Sequence, residues 1–248
     1  MVIIDKFYRS EKVDEEQKFE YDKRNEKRPS WLKLEIVPER VQFMKILVKG
    51  ESFWYRQIFG NYFIILEATT KDIENFYNYI AKDYESMMPQ NKKIGDFLFE
   101  KLKKFNIPKN STILEMCAGT GIVAEVISNR GYQNLTLIDL SDKELKLAKK
   151  RLSSATIIKC DVLKVKLIDR YRVIYESMGF DNFKEAELTN LLKNIKNHLT
   201  NDGLFIAIDR HIPKEFGEEF KTLEKGNFSL ETLQGKFRYD YFIGKKQR

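Results

Sequence analysis

"LEMCAGTG", residues 114–121, continues the apolar run "STIL" (111–114) and closes on two glycines, Gly119 and Gly121, with one threonine between them. An apolar run that stops at Gly-x-Gly reads as a strand entering a tight turn. The next nine residues, "IVAEVISNR" (122–130), have helical periodicity. Strand, glycine turn and helix form the opening of an open α/β sheet, and the turn lies at the strand's carboxyl end, where such sheets bind ligands. Glu115 places a carboxylate just ahead of the bare turn.

Outward from this turn the alternation continues. "LTLIDL" (135–140) reads as a strand and 141–152 as a helix, with Ser141 and Glu144 at capping-box spacing. "ATIIKC" (155–160) and "YRVIYES" (171–177) are strands and 184–199 is a helix. "LFIAID" (204–209) is a strand after the turn "TNDG", and "GKFRYDYFIG" (235–244) is strand-like. Short connections between alternating elements imply a parallel sheet with helices on both faces. The expected fold is α/β: a Rossmann-like doubly wound, mostly parallel sheet with a C-terminal antiparallel strand.

Upstream, Ile73, Phe76, Tyr77, Ile80, Tyr84 and Met87 predict a helix from residue 71, and a second helix is expected over 91–106, before Pro108. Residues 31–68 carry short β-branched and aromatic runs punctuated by Gly50-Glu51 and Gly60-Asn61, the pattern of a small antiparallel β-meander. Trp31, Phe53, Trp54 and Tyr55 are its core or a stacking face. Residues 5–28 hold eight acidic and eight basic side chains and read as a solvated helix or arm. The division expected is 1–70 as charged arm and meander, serving as substrate cap or dimer contact, and 71–248 as the ligand-binding domain.

The 248-residue chain is 42% hydrophobic, enough for a sizeable core. No apolar run approaches the ~20 residues a membrane span needs, and "MVIIDKFYRSEK" is too short in apolar content for a secretory leader. A cytoplasmic protein with no membrane partner is expected. Two cysteines in strand-like runs read as buried free thiols, and with two histidines they give no metal-site spacing. The net charge of +7 is diffuse except for the tail "GKKQR", which predicts weak, non-specific nucleic-acid binding only.

Three strand ends carry the chemistry. The glycine turn permits close backbone approach, and the helix behind it aims free N–H groups there. Asp139, eighteen residues beyond Gly121, ends the second strand and can accept both hydroxyls of a ribose. Asp161, after the third strand, can accept from an exocyclic amine while Val162 packs on an adenine face. "GTGIVA" (119–124) also fits a dinucleotide fingerprint with alanine last. Glu115 opposes that reading, since a carboxylate there repels a pyrophosphate and attracts a cation. S-adenosyl-L-methionine, with a sulfonium, an ammonium and no phosphate, suits the turn.

Taken together, "ILEMCAGTG", "LTLIDLSDKELKLAKKRL", "IIKCDVL" and "LKNIKNHLTNDGLFIAID" resemble the successive motifs of class I S-adenosylmethionine-dependent methyltransferases, over roughly residues 75–212. The resemblance implies that Glu115, Gly119 and Gly121 line the methionine half of the cofactor and that Cys117, Ala118 and Glu176 complete its walls. It puts Asp139 on the ribose, Leu140 beside the adenine, and Asp161 and Val162 at the adenine. The family usually has glycine in place of Cys117, and often an acidic residue in place of Arg172.

Methyl transfer is an in-line displacement in which alignment does most of the work. A base is needed only where the acceptor must lose a proton. Candidates are Glu176, Ser177 and Met178 after the fourth strand and Asp209 and His211 after the fifth; Glu176 and His211 lead. Tyr79 and Tyr84 precede the alternating region as a cover or as core. "YESMGF" (175–180) lacks the Asp/Asn-Pro-Pro-aromatic pattern associated with methylation of base or glutamine amino groups. A small-molecule acceptor is expected. RNA or protein are the alternative acceptors, and a nicotinamide oxidoreductase or a silent binding module the alternative functions.

Overall fold

The computed structural model describes residues 70–246, except 83, 181, 182, 184, 233 and 234, and four strands between 32 and 65. The chain divides into two compact units, Met1–Ile80 and Ala81–Arg248. In the first, β1 (Leu32–Leu34), β2 (Phe43–Val48), β3 (Glu51–Phe59) and β4 (Tyr62–Ile65) pair antiparallel in chain order. α1 (Thr70–Ile80) follows. The charged segment 5–28 and the side chains of Trp31, Phe53, Trp54, Tyr55 and Tyr79 lie outside what is described.

The second unit opens with two helices, α2 (Tyr84–Met87) and α3 (Asn91–Lys104). Sequence periodicity ran unbroken from 71 to 87, but the helix stops at Ile80 and restarts at Tyr84. Alternation then follows as expected. β5 (Ile113–Met116), α4 (Ile122–Asn129), β6 (Leu135–Asp139), α5 (Asp142–Arg151), β7 (Thr156–Lys159) and β8 (Tyr171–Ser177) lead to α6 (Glu185–His198) and β9 (Leu199–Asp209). The "TNDG" stretch, expected as a turn, is taken into β9, whose pairing with β8 shifts register between Tyr171 and Val173. The chain ends in α7 (Glu215–Glu219), β10 (Phe220–Thr232) and β11 (Gly235–Lys246).

The sheet order is β10-β11-β9-β8-β5-β6-β7. β5 to β9 are mutually parallel, β11 runs antiparallel to β9, and β10 runs antiparallel to β11. A long C-terminal hairpin thus replaces the single strand expected. The order reverses at β5, between β6 and β8, so the crevice above β5 is the switch point.

Alternation along β5 sends side chains to opposite layers. Ile113 joins one core with Leu98, Val123, Ile127, Leu137 and Val173. Leu114 and Met116 join the other with Ile174, Leu192, Phe205 and Phe242. β5 is buried throughout and ends at Met116; Cys117, which follows, is half-buried. Below the hairpin, Phe97 of α3 stacks on Phe228 of β10 with centroids 3.9 Å apart, and Lys101 and Lys104 both reach Glu224 at 2.7 Å.

Candidate functional site

Five parallel strands end at one level, since Met116 pairs with Ile138 and with Glu176, Asp139 pairs with Lys159, and Ser177 pairs with Ile208. Above β5 the chain turns sharply. Cys117, Gly119 and Gly121 have φ of +54°, +53° and +75°. The turn is tied down by Ala118 N–H donating to the Ile138 carbonyl and Gly121 N–H to the Ala118 carbonyl, both at 3.0 Å. A Cβ on Gly121 would meet Ala148 Cβ at 3.1 Å and Leu137 Cδ2 at 3.2 Å, on a backbone that L-residues avoid. Gly121 caps α4, whose first N–H groups open onto the turn.

Asp139, at the end of β6, organises this turn. Its Oδ2 accepts from Gly119 N–H at 2.9 Å and its Oδ1 from Ser141 N–H at 2.7 Å. Burial pushes its carboxyl up from the ordinary range, and the amides of Ser141, Gly119 and Leu140 pull it back. Leu140, beside it, is half-buried.

Glu115 lies under the turn, 2% exposed, in register with Tyr175 of β8. Burial pushes its carboxyl up to about 8; the nearby Tyr175 hydroxyl counters this and the Asp139 charge adds to it. Its Oε2 has no hydrogen-bond partner among the described residues. A buried carboxylate oxygen without a donor is costly unless something cationic arrives.

Asp161, past the end of β7, accepts from Leu163 N–H at 3.0 Å, and Lys164 Nζ lies 3.3 Å from its Oδ2. Val162 is buried with Met116 and Ile138. Past β8, Glu176 is fully buried and accepts from Gly179 N–H at 3.0 Å. Past β9, buried Asp209 accepts from Phe180 N–H at 3.2 Å and Arg210 N–H at 2.7 Å, which binds the fourth and fifth strand ends together. Burial pushes the Cys117 thiol well up, with the charges of Asp139, Glu176, Asp209 and Glu115 adding to it, so Cys117 stays a thiol.

The turn, Glu115, Asp139, Glu176 and Asp209 therefore come together. His211 does not join them as a buried group; it is exposed, two residues beyond β9. Arg172 sits near the opposite, amino end of β8, paired with Asp202 at 3.3 Å, so its departure from the family pattern does not touch the crevice. His198 lies with both ring nitrogens against backbone carbonyls of Asn194 and Leu167, at 2.8 and 2.9 Å.

Glu144 and Arg151 were not legible as site residues, whereas Tyr84 was expected as a cover or as core. Glu144 was expected to close a capping box on Ser141. Ser141 Oγ does accept from Glu144 N–H at 3.2 Å, but the Ser141 amide is taken by Asp139. The Glu144 side chain turns inward instead, 1% exposed, with Oε2 3.6 Å from where a Gly119 Cβ would lie. Tyr84 of α2 reaches the same point, its Cε1 at 3.7 Å, so this helix covers the glycine turn. Arg151 of α5 anchors that cover through Glu85, and reaches Glu125 at 2.8 Å and the Thr120 carbonyl at 3.2 Å.

This sheet order, with a glycine turn at its switch point and acidic side chains at the strand ends, is that of a doubly wound α/β domain whose ligand crevice lies above β5. Residues 113–203 match the family model described as a methyltransferase domain. A malonyl-[acyl-carrier protein] O-methyltransferase of Bacillus anthracis is 26% identical over 174 residues, 67% of this chain and 64% of that protein. The chain thus aligns with just under two thirds of that relative's length. Magnesium protoporphyrin IX methyltransferase from Synechocystis, solved with bound S-adenosylmethionine, superposes with a TM-score of 0.58 at 11% identity, over 72% of this chain and 99% of that one. N-methyltransferase NodS from Bradyrhizobium japonicum, solved with S-adenosylhomocysteine, gives a TM-score of 0.50 at 13% identity, over 60% and 86%. Residues 113–203 form a methyltransferase domain, and the fold is shared with enzymes solved with S-adenosylmethionine or S-adenosylhomocysteine bound.

Proposed function

We propose that the protein transfers the methyl group of S-adenosylmethionine to a small-molecule acceptor, with the crevice above β5 as the cofactor site. The observation that carries this reading is the set of buried acidic groups around a bare glycine turn, with Glu115 Oε2 left without a donor. Such a lining disfavours a pyrophosphate and favours a sulfonium and an ammonium. The cofactor supplies an electrophilic methyl and a neutral thioether leaving group.

In this reading Glu115, Cys117, Ala118, Gly119 and Gly121 receive the methionine half. Asp139 and Leu140 receive the ribose and its surroundings, and Asp161 with Val162 the adenine edge. Glu176 and Asp209 close the acceptor side, where a proton released by an acceptor hydroxyl or amine is taken up. His211 is the exposed alternative base. The small-molecule reading draws support from the absence of the base-methylating pattern in "YESMGF". The motifs assigned to the cofactor all fall within 113–162, which leaves residues 1–70 for acceptor capping or a dimer contact.

The test is incubation with methyl-labelled S-adenosylmethionine and cell extract separated into small molecules, RNA and protein. Label is expected in the small-molecule fraction. Label confined to RNA or protein would replace the acceptor class, and loss of label on prior incubation with RNase would single out RNA.

A further inference from the structure

Glu144 is buried in the cofactor crevice, yet no family motif quoted for this chain assigns it a role. It stands in the first turn of α5, where an acidic residue normally faces solvent or closes the cap. Here Asp139 occupies the Ser141 amide at 2.7 Å, which removes the donor that would hold Glu144 outside. The carboxyl therefore points under Tyr84 toward the bare backbone of Gly119, with Oε1 lacking any hydrogen-bond partner among the described residues.

Glu144 and Asp139 share one small volume, since Asp139 Oδ2 is bonded to the same Gly119 whose absent Cβ Glu144 Oε2 approaches. Two carboxyl groups so placed do not both ionise readily. The charge settles where donors stabilise it. Asp139 has the amides of Gly119 and Ser141, while Glu144 Oε1 has none. Arg151, at the far end of the same helix and beside the glycine turn, is engaged by Glu85, Glu125 and the Thr120 carbonyl. The proton therefore resides on Glu144, which makes it a donor beside an acceptor. A ribose diol uses both: its two hydroxyls donate to Asp139, and their oxygens accept.

We propose that Glu144 is a second ribose-binding residue, a protonated carboxyl that donates a hydrogen bond to a hydroxyl oxygen of the diol accepted by Asp139. This rests on the cofactor site assigned above. It gives the site a neutral donor that an ordinary ribose pocket built on a single carboxylate lacks.

The test is calorimetric titration of the full chain with S-adenosylhomocysteine and with its 2′-deoxy and 3′-deoxy analogues. Glu144→Gln keeps a donor and cannot ionise; Glu144→Met keeps volume and helix preference but cannot donate. For S-adenosylhomocysteine, the glutamine variant should bind within about twofold of the parent and the methionine variant about tenfold more weakly, the value of one buried hydrogen bond. With one of the two deoxy analogues the methionine penalty should vanish. Equal weakening by glutamine and methionine would overturn the proposal, because an ionised acceptor would then be required. So would an unchanged affinity in the methionine variant, or the same penalty with all three ligands, which marks a purely structural role. Asp139→Ala separates the two claims. If it abolishes binding while the Glu144 variants do not respond, only the Glu144 inference fails. If the parent protein binds none of the three ligands, the cofactor site itself is wrong.

Discussion

A Cβ on Gly179 would lie 2.5 Å from Cys117 Cβ and 2.9 Å from Cys117 Sγ, so the loop after β8 rests directly on the turn after β5. Cys117 adopts φ +54°, a conformation in which most L-residues lose about 1 kcal/mol. The family's usual glycine at 117 would need no such opening opposite it. In this chain the side chain has moved into the turn and the glycine at 179 receives it. Gly179→Ala should therefore destabilise the protein by about 1–3 kcal/mol through overpacking. Cys117→Gly in the same background should recover most of that loss. Denaturant melts of the two single variants and the double variant measure the coupling; additive effects would show that the two residues do not compete for the space.

Glu115 sets a pH dependence. In the folded protein its carboxyl holds its proton to about pH 8, against an ordinary value of 4.5. The folded state binds more protons between those values, so ligand-free stability should fall as pH rises from roughly 4.5 to 8. Glu115→Gln should remove this slope and stabilise the ligand-free protein near pH 7 by on the order of 2–3 kcal/mol. The same substitution should weaken S-adenosylmethionine binding. The parent's affinity should tighten from pH 6 to 8 as the cation displaces the proton, while the variant stays flat. Thermal melts and titrations across that range check both halves.

Much of this was legible in the sequence, and what was not has physical causes. The turn at 117–121 announced itself because an apolar strand cannot end in Gly-x-Gly without changing direction. Asp139 was legible from its place after "LTLI". β10 was not: Phe220–Thr232 carries alternating exposed polar residues, and its apolar side chains are spread thinly, so no strand run stands out. The break at 81–83 was hidden because Ile80, Tyr84 and Met87 keep helical spacing across it. Glu144 misled because the capping box and the inward rotamer share one sequence pattern. What decides between them is the Asp139 carboxylate, two residues before Ser141, which takes the amide that a capping box would need.

The hairpin makes a separate stability claim. Burial pushes the Glu224 carboxyl up, but hydrogen bonds from Lys101, Lys104 and Tyr241 outweigh it and hold it down at about 2. Its stabilising effect is complete above the unfolded value near 4.3 and is lost as pH falls toward 2. Glu224→Gln should cost about 1 kcal/mol at neutral pH, allowing for solvent screening, and almost nothing near pH 2. Urea titrations at the two pH values read the difference.

Arg151 holds α2 over the glycine turn through Glu85. Arg151→Ala should weaken cofactor binding a few-fold, mainly through faster dissociation, because Tyr84 is no longer held above Gly119. Stopped-flow displacement of bound S-adenosylhomocysteine gives the rate. An unchanged off-rate would mean that the cover stays in place without the arginine.

The direct measurement of the cofactor site is a calorimetric titration of S-adenosylhomocysteine and NAD into the parent protein and Asp139→Ala. The expected result is one S-adenosylhomocysteine per chain, no heat from NAD, and affinity lowered on the order of tenfold to a hundredfold in the variant, as the loss of charge-assisted hydrogen bonds to the ribose requires. Binding of NAD in place of S-adenosylhomocysteine, or unchanged affinity in a folded Asp139→Ala, would contradict it.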